Sequence, residues 1–152
     1  MKKELLLSSQ YPTNMQKDKQ RPIFLLVDDN DIDLFFHEKL LRIKKISDHI
    51  TPFLNASDVL DYLEQFQEHP EAYTETVILL DIQMPQIDGF GFLDHFERMP
   101  EEVISRTRIF LVSSSLDHGD LSRGYAHHLV DGILKKPLNA DDLIKALQET
   151  GA

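Results

Sequence analysis

Four short, largely apolar runs each end on a polar residue, and this is the strongest constraint on the fold. Ile23–Val27 runs into Asp28-Asp29, Val77–Leu80 into Asp81, Arg108–Val112 into Ser113-Ser114-Ser115, and Gly132–Leu134 into Lys135-Lys136. Short runs with little polar alternation suit strands buried on both faces. A weaker strand is expected over Ile50–Leu54. Between the strands the apolar spacing changes to that of helices. Asp31 to Lys45 carries apolar residues at 32, 35, 36, 40 and 43, and a second helix carries them at 59, 60 and 63. Gly89–Met99 places Phe92, Leu93 and Phe96 inward, and Asn139–Gln148 repeats Leu143, Ile144 and Leu147. A less regular helix over Leu116–His128 contains Gly119 and Gly124. Asn55 or Ser57, and Asn139, stand where N-caps are expected. Phe35, Phe36, Phe90, Phe92 and Phe96 read as core residues.

The pattern is strand then helix, five times over. Such alternation gives a parallel sheet covered on both faces, and right-handed crossovers leave few topologies. The expected fold is α/β: a flavodoxin-like, doubly wound (βα)5 domain with strand order 2-1-3-4-5. Ligands then bind at the carboxyl ends of strands 1 and 3. A chain of 152 residues corresponds to one domain and buries about 70% of its surface on folding. Residues 1–21 are polar and aperiodic and read as a flexible arm before a domain at 22–152.

Charge and composition remove several classes of function. The net charge of −10 argues against nucleic acid and against anionic membrane surfaces. The absence of cysteine removes disulfides, thiolate catalysis and thiolate metal sites. Met1-Lys2-Lys3-Glu4-Leu5-Leu6-Leu7 imitates a signal peptide only briefly, and no run approaches 18 apolar residues. A cytoplasmic protein with no membrane association is expected.

In strand order 2-1-3-4-5, strands 1, 3, 4 and 5 are consecutive neighbours about 4.8 Å apart. Asp28, Asp29, Asp81, Ser113 and Lys136 therefore line one edge of the sheet. Three carboxylates so close repel one another, and a hard divalent cation relieves that. Few carboxylates with several waters suit Mg²⁺, and the Gln83 carbonyl oxygen is a further candidate ligand. Taken singly, each residue is more simply a cap, a turn residue or a solvated lysine. It is their coincidence at one end of the sheet that points to a site.

Leu25-Leu26-Val27-Asp28-Asp29-Asn30, the stretch from Leu80-Asp81 to Asp88-Gly89-Phe90, Val112-Ser113-Ser114 and Lys136-Pro137-Leu138 resemble the receiver domain of bacterial two-component response regulators. The resemblance spans about residues 22–150, and is greatest to small stand-alone receivers, since no output domain is expected after the last helix. It implies that Asp81 is the phosphoacceptor. It implies Mg²⁺ on Asp28, Asp29, Asp81 and the Gln83 carbonyl, with Asp28 acting through water. Lys136 would pair with a phosphoryl oxygen, next to a cis Lys136–Pro137 bond. Ser113 would be the switch hydroxyl, and the Ser114 amide would also reach the phosphoryl group. The implied partners are a histidine kinase or histidine phosphotransfer protein and a downstream protein met through the fourth helix, fifth strand and last helix. The chain could equally relay the phosphoryl group onward.

The chain departs from the family pattern in places. Ile133 occupies the position of the usual switch aromatic, Leu138 replaces a common Phe, and Ser115 cannot act as an acid. Gln83 and Ser115 stand at the positions that flank the phosphoryl group in the family and influence its hydrolysis. Two other readings compete with this one. A haloacid-dehalogenase-like phosphatase would use Asp29-Asn30-Asp31, Ser113, Lys136 and a late acid pair at Asp141-Asp142, but that pair follows Lys136 too closely and more simply opens a helix. A degenerate receiver acting only as a binding module has Ile133 as its one support. His127-His128, read as helix residues pointing different ways, makes no chelate.

Overall fold

A computed structural model describes residues 21–115 and 117–150 of the chain. The expected arm at 1–21 lies outside the described residues except for Arg21, whose guanidinium donates to the Lys45 carbonyl at 2.6 Å. Five strands form one parallel sheet: β1 (Ile23–Val27), β2 (Ile50–Phe53), β3 (Thr76–Asp81), β4 (Thr107–Ser113) and β5 (Val130–Lys135). Their order is β2-β1-β3-β4-β5, the flavodoxin-like order expected. The main helices are α1 (Asp31–Ile43), α2 (Ala56–Glu64), α3 (Gly89–Phe96), α4 (His118–Ala126) and α5 (Ala140–Thr150). A 3₁₀ turn at Pro70–Ala72 and a one-turn helix at Glu101–Ile104 complete the described elements.

Alternation along the strands divides two cores. Leu25, Val27, Ile78, Leu80, Ile109 and Leu111 pack with residues of α2 and α3 on one face. Phe24, Leu26, Val77, Leu79, Phe110 and Val112 pack with Leu34 and Leu41 of α1 and with Leu143 and Leu147 of α5 on the other. That double burial is why the central strands read as continuous apolar runs. β2 is an edge strand whose Thr51 and Pro52 are exposed, a position that tolerates proline. At the other edge the β4–β5 register shifts between Ile109 and Phe110. There the Asp131 carboxylate accepts the Ile109 N–H at 2.8 Å, replacing a ladder bond.

The helix starts follow side-chain caps. Asn30 accepts the N–H groups of Ile32 and Asp33, Asn55 that of Asp58, Asp88 that of Gly91 and Asp117 that of Asp120. The Asn139 side chain accepts the Asp142 N–H at 3.1 Å. Each satisfies an amide that a helix end leaves without an intrahelical partner.

Two expectations about packing are corrected. Phe35 and Phe36 are not core: they are 57% and 62% exposed, and Ile32 and Ile43 lie open beside them. α1 carries apolar residues on two opposite faces, and the sheet takes Leu34, His37 and Leu41, not the 32/35/36/43 stripe. The helix expected over Gly89–Met99 stops at Phe96, and Pro100 instead opens the turn at Glu101–Ile104. Phe90, Phe92 and Phe96 are buried as expected.

Candidate functional site

Strand register carries polar residues to one edge. Val27 pairs with Leu80, which sets Asp28 level with Asp81. Asp81 pairs with Val112, and Ser113 pairs with Lys135. The Lys136 N–H then donates to the Ser113 carbonyl at 2.9 Å. Asp28, Asp81 and Ser113 are among the few buried polar residues of a largely apolar interior. Oxygens of Asp28, Asp29 and Asp81 lie within 4.8 Å of one another.

The electrostatics follow from that crowding. Burial, and next the Asp28 charge, push the Asp81 carboxyl up from 3.8 to about 7; Lys136 opposes this, Asp29 adds to it, and a hydrogen bond from the Gln83 backbone N–H opposes it. The Lys136 ammonium lies 2.7 Å from Asp28 Oδ2, 2.9 Å from Asp33 Oδ2 and 3.6 Å from Asp81 Oδ1. Burial works to lower the Lys136 pKa, but hydrogen bonds to Asp28 and Asp33 raise it above the usual lysine value. Asp28 Oδ1 accepts the Asn30 N–H at 2.9 Å, so both oxygens of Asp28 are engaged. Asp29, by contrast, is exposed. An all-oxygen cluster of carboxylates, one of them disfavoured as a bare anion, fits a hard divalent cation.

Ser113 Oγ donates to the Ser115 carbonyl at 3.0 Å and accepts the Ser115 N–H at 3.2 Å, so the hydroxyl is held within a local turn. Ser114 is exposed just past β4, and the Gln83 side chain is exposed beyond Asp81. The Lys136–Pro137 peptide is cis. Gly89 closes the site from below: its N–H donates to the Ile82 carbonyl at 2.9 Å. A Cβ there would lie 2.8 Å from the Asp81 carbonyl oxygen, so only glycine lets α3 approach this closely.

Sequence reasoning missed Asp33. It sits at the third position of α1, where an acid is an ordinary response to the helix dipole, and that commonplace role hides the ion pair to a residue 103 positions away. His37 shows no metal-ligand spacing in the sequence. It is buried against the sheet, and burial lowers its pKa while the nearby Asp28 charge raises it.

The late acids Asp141 and Asp142 lie in the first turn of α5, away from any role as a metal pair in the phosphatase reading. His127 and His128 are not helix residues pointing different ways. α4 ends at Ala126 and His127 is extended, so the two rings stack at 5.1 Å and 7°. Glu97 joins them in a group with metal-ligand spacing. However, His127 Nδ1 accepts the Leu129 N–H and Nε2 faces Glu97 Oε1 at 3.2 Å. Both ring nitrogens are thus committed, and parallel rings do not aim their lone pairs at one point.

The family model of the response regulator receiver domain matches residues 24–148. The chain belongs to the receiver-domain family. A response regulator receiver protein from Dyadobacter fermentans is 36% identical, with a TM-score of 0.76 over 83% of this chain and 94% of that one. A two-component response regulator from Cytophaga hutchinsonii is 26% identical, with a TM-score of 0.76 over 86% and 97% of the two chains. Response regulator Rcp1 of Synechocystis is 26% identical over 86% of this chain and 88% of its own length. Receiver domains are signalling switches rather than metabolic enzymes, which sets the phosphatase reading aside. Among the described residues no helix is long and apolar enough to cross a membrane.

Proposed function

We propose that this chain is a single-domain response regulator in which Asp81 accepts a phosphoryl group from a histidine kinase or histidine phosphotransfer protein, with Mg²⁺ as cofactor. The observation that carries the reading is the convergence of Asp28, Asp29 and Asp81 with the Lys136 ammonium at the carboxyl edge of the sheet. Phosphoryl transfer needs positioning and charge neutralisation more than covalent help. Asp81 supplies the nucleophile: a new O–P bond forms as the donor's N–P bond breaks, and the bonding pair leaves on the donor imidazole. Lys136 supplies a fixed positive charge for the phosphoryl oxygens. With both oxygens of Asp28 engaged, Asp29 and Asp81 would hold Mg²⁺ directly and Asp28 would act through water. The Gln83 carbonyl would add a further ligand. Mg²⁺, when bound, neutralises the charge that builds on the transferred group. Attack of water on the acyl phosphate later returns inorganic phosphate and free Asp81.

The described surfaces fit a protein that meets other proteins. Ile32, Phe35, Phe36 and Ile43 form an exposed apolar stripe that begins beside the acidic cluster, and such a patch marks a docking face for the phosphodonor. On the output side, α4 fully buries only Gly124, with Arg123 laid over the Phe90 ring at 4.1 Å. A helix held this lightly is suited to move. Ser113 leaves its turn with Ser115 to reach the phosphoryl group, joined by the Ser114 amide. The loop that this releases leads directly into α4. A cleft of about 500 Å³ between α4, β5 and α5, lined by Leu121, Tyr125, Ile133 and Lys145, takes the downstream protein, or the phosphoryl group passes onward. Ile133 has no ring to swing, so the signal travels through α4 itself. The receiver domain spans 22–152, preceded by the arm at 1–21, and works in the cytoplasm without nucleic acid or membrane.

Intact-mass measurement after incubation with acetyl phosphate tests this. The expected result is a gain of one phosphoryl group that needs Mg²⁺ and is lost in Asp81→Asn. An adduct that persists in Asp81→Asn refutes the assignment.

A further inference from the structure

Lys136 is not aimed at Asp81. Its ammonium is held between Asp28 Oδ2 at 2.7 Å and Asp33 Oδ2 at 2.9 Å, while Asp81 Oδ1 stands off at 3.6 Å, beyond hydrogen-bonding length for such a pair. The lysine side chain is 11% exposed, so its position depends on those two anions. The two anions differ in kind. Asp28 belongs to the carboxylate cluster with Asp29 and Asp81, and a bound cation draws on its charge. Asp33 lies outside that cluster. It rises from the first turn of α1, where its N–H is fixed to Asn30 Oδ1 at 3.1 Å, and its charge stays committed to Lys136.

We propose that Asp33 is a positioning residue for Lys136: it holds the ammonium on the α1 side of the site, off Asp81, and so sets how tightly the site takes a phosphoryl group. This rests on Asp81 being the phosphoacceptor. Two effects have the same sign. The Asp33 carboxylate competes with the phosphoryl oxygens for the one nearby ammonium, and its negative charge opposes the arrival of a group carrying about −1.5 to −2. Asp33 also ties α1 to the loop after β5. Phosphoryl capture of Lys136 therefore loosens the contact between the proposed donor-docking helix and the output side.

The test uses the full chain and beryllofluoride, a phosphoryl mimic, titrated calorimetrically at fixed Mg²⁺. Asp33→Asn keeps the shape and removes the charge. It should bind beryllofluoride roughly two- to fivefold more tightly, the range expected for a partly exposed ion pair, while Asp33→Glu stays near wild type. Equal or weaker binding by Asp33→Asn overturns the proposal. A second readout needs no anion at all. Hydrogen exchange of the Lys136 ammonium, followed by lysine side-chain NMR, should speed up severalfold in Asp33→Asn and not in Asp33→Glu. Unchanged exchange overturns the proposal as well. If wild type takes up no beryllofluoride, the phosphoacceptor reading has failed, and ammonium exchange alone decides whether Asp33 holds Lys136.

Discussion

Replacing Asp81 by Asn removes a carboxylate that the fold holds against its own charge preference. Burial and the Asp28 charge raise this carboxyl from 3.8 to about 7. A raised acid pKa means the folded state keeps a proton that the unfolded state releases. Below pH 3.8 both states are protonated and the group contributes nothing. The penalty on folding then grows by about 1.36 kcal/mol per pH unit and levels off above the folded value. It amounts to roughly 1.6 kcal/mol at pH 5 and about 4 kcal/mol at pH 8.5. Asp81→Asn carries no such penalty, and the isosteric amide keeps the packing. The assay is urea denaturation of both proteins in metal-free buffer at the two pH values. Titrations shared by the two proteins, such as that of His37, cancel in the comparison. The stability advantage of Asp81→Asn should therefore be larger at pH 8.5 than at pH 5 by about 3 kcal/mol. An advantage that is the same at both pH values, or that shrinks as pH rises, would show that the site does not strain its central carboxylate.

Three further predictions follow from the same geometry. Mg²⁺ at a hundredfold excess over its dissociation constant should stabilise the wild type by about 2.7 kcal/mol, seen as a raised thermal midpoint, and Asp29→Asn should lose most of that gain. A Cβ at Gly124 would meet Ile133 Cδ1 at 2.7 Å and Leu111 Cδ1 at 3.0 Å, whereas at Gly119 it meets only Asp117 Oδ1 at 3.4 Å. Gly119→Ala should thus gain up to about 1 kcal/mol in urea melts, while Gly124→Ala should lose about 1 kcal/mol to overpacking and recover part of it when Ile133→Val removes the Cδ1 methyl. The double variant Phe35→Ser/Phe36→Ser should stay within about 0.5 kcal/mol of wild-type stability per site, leave labelling by acetyl phosphate intact and slow transfer from a protein phosphodonor. An unfolded double variant would mean that the stripe is core after all.

Much of this is legible in the sequence, because the informative residues sit where chain geometry is least free. A buried parallel strand must end somewhere, and Asp28, Asp81, Ser113 and Lys136 each mark such an end. Chirality and alternation then leave few strand orders, and the expected one, 2-1-3-4-5, is the order observed. What could not be read was orientation. α1 carries Leu34 and Leu41 on one face and Ile32, Phe35 and Phe36 on the other. Periodicity identifies both stripes as helical without saying which meets the sheet. Asp33 was hidden for a related reason: an acid in the first turn of a helix is unremarkable until the loop after β5 brings Lys136 to it. Gly124 read as a weak point in α4. It is also where α4 packs so close to Ile133 and Leu111 that a Cβ would collide with them, a contact between elements that no local pattern encodes.

The most direct test of the account is to find the phosphorylated residue itself. The chain would be treated with acetyl phosphate and Mg²⁺, reduced with borohydride, which converts an aspartyl phosphate to homoserine, and cleaved for tandem mass spectrometry. The account predicts homoserine at position 81 alone, and none when Mg²⁺ is withheld. Homoserine at position 28, 29 or 33, or a phosphoryl group on a serine or histidine that resists reduction, would contradict it.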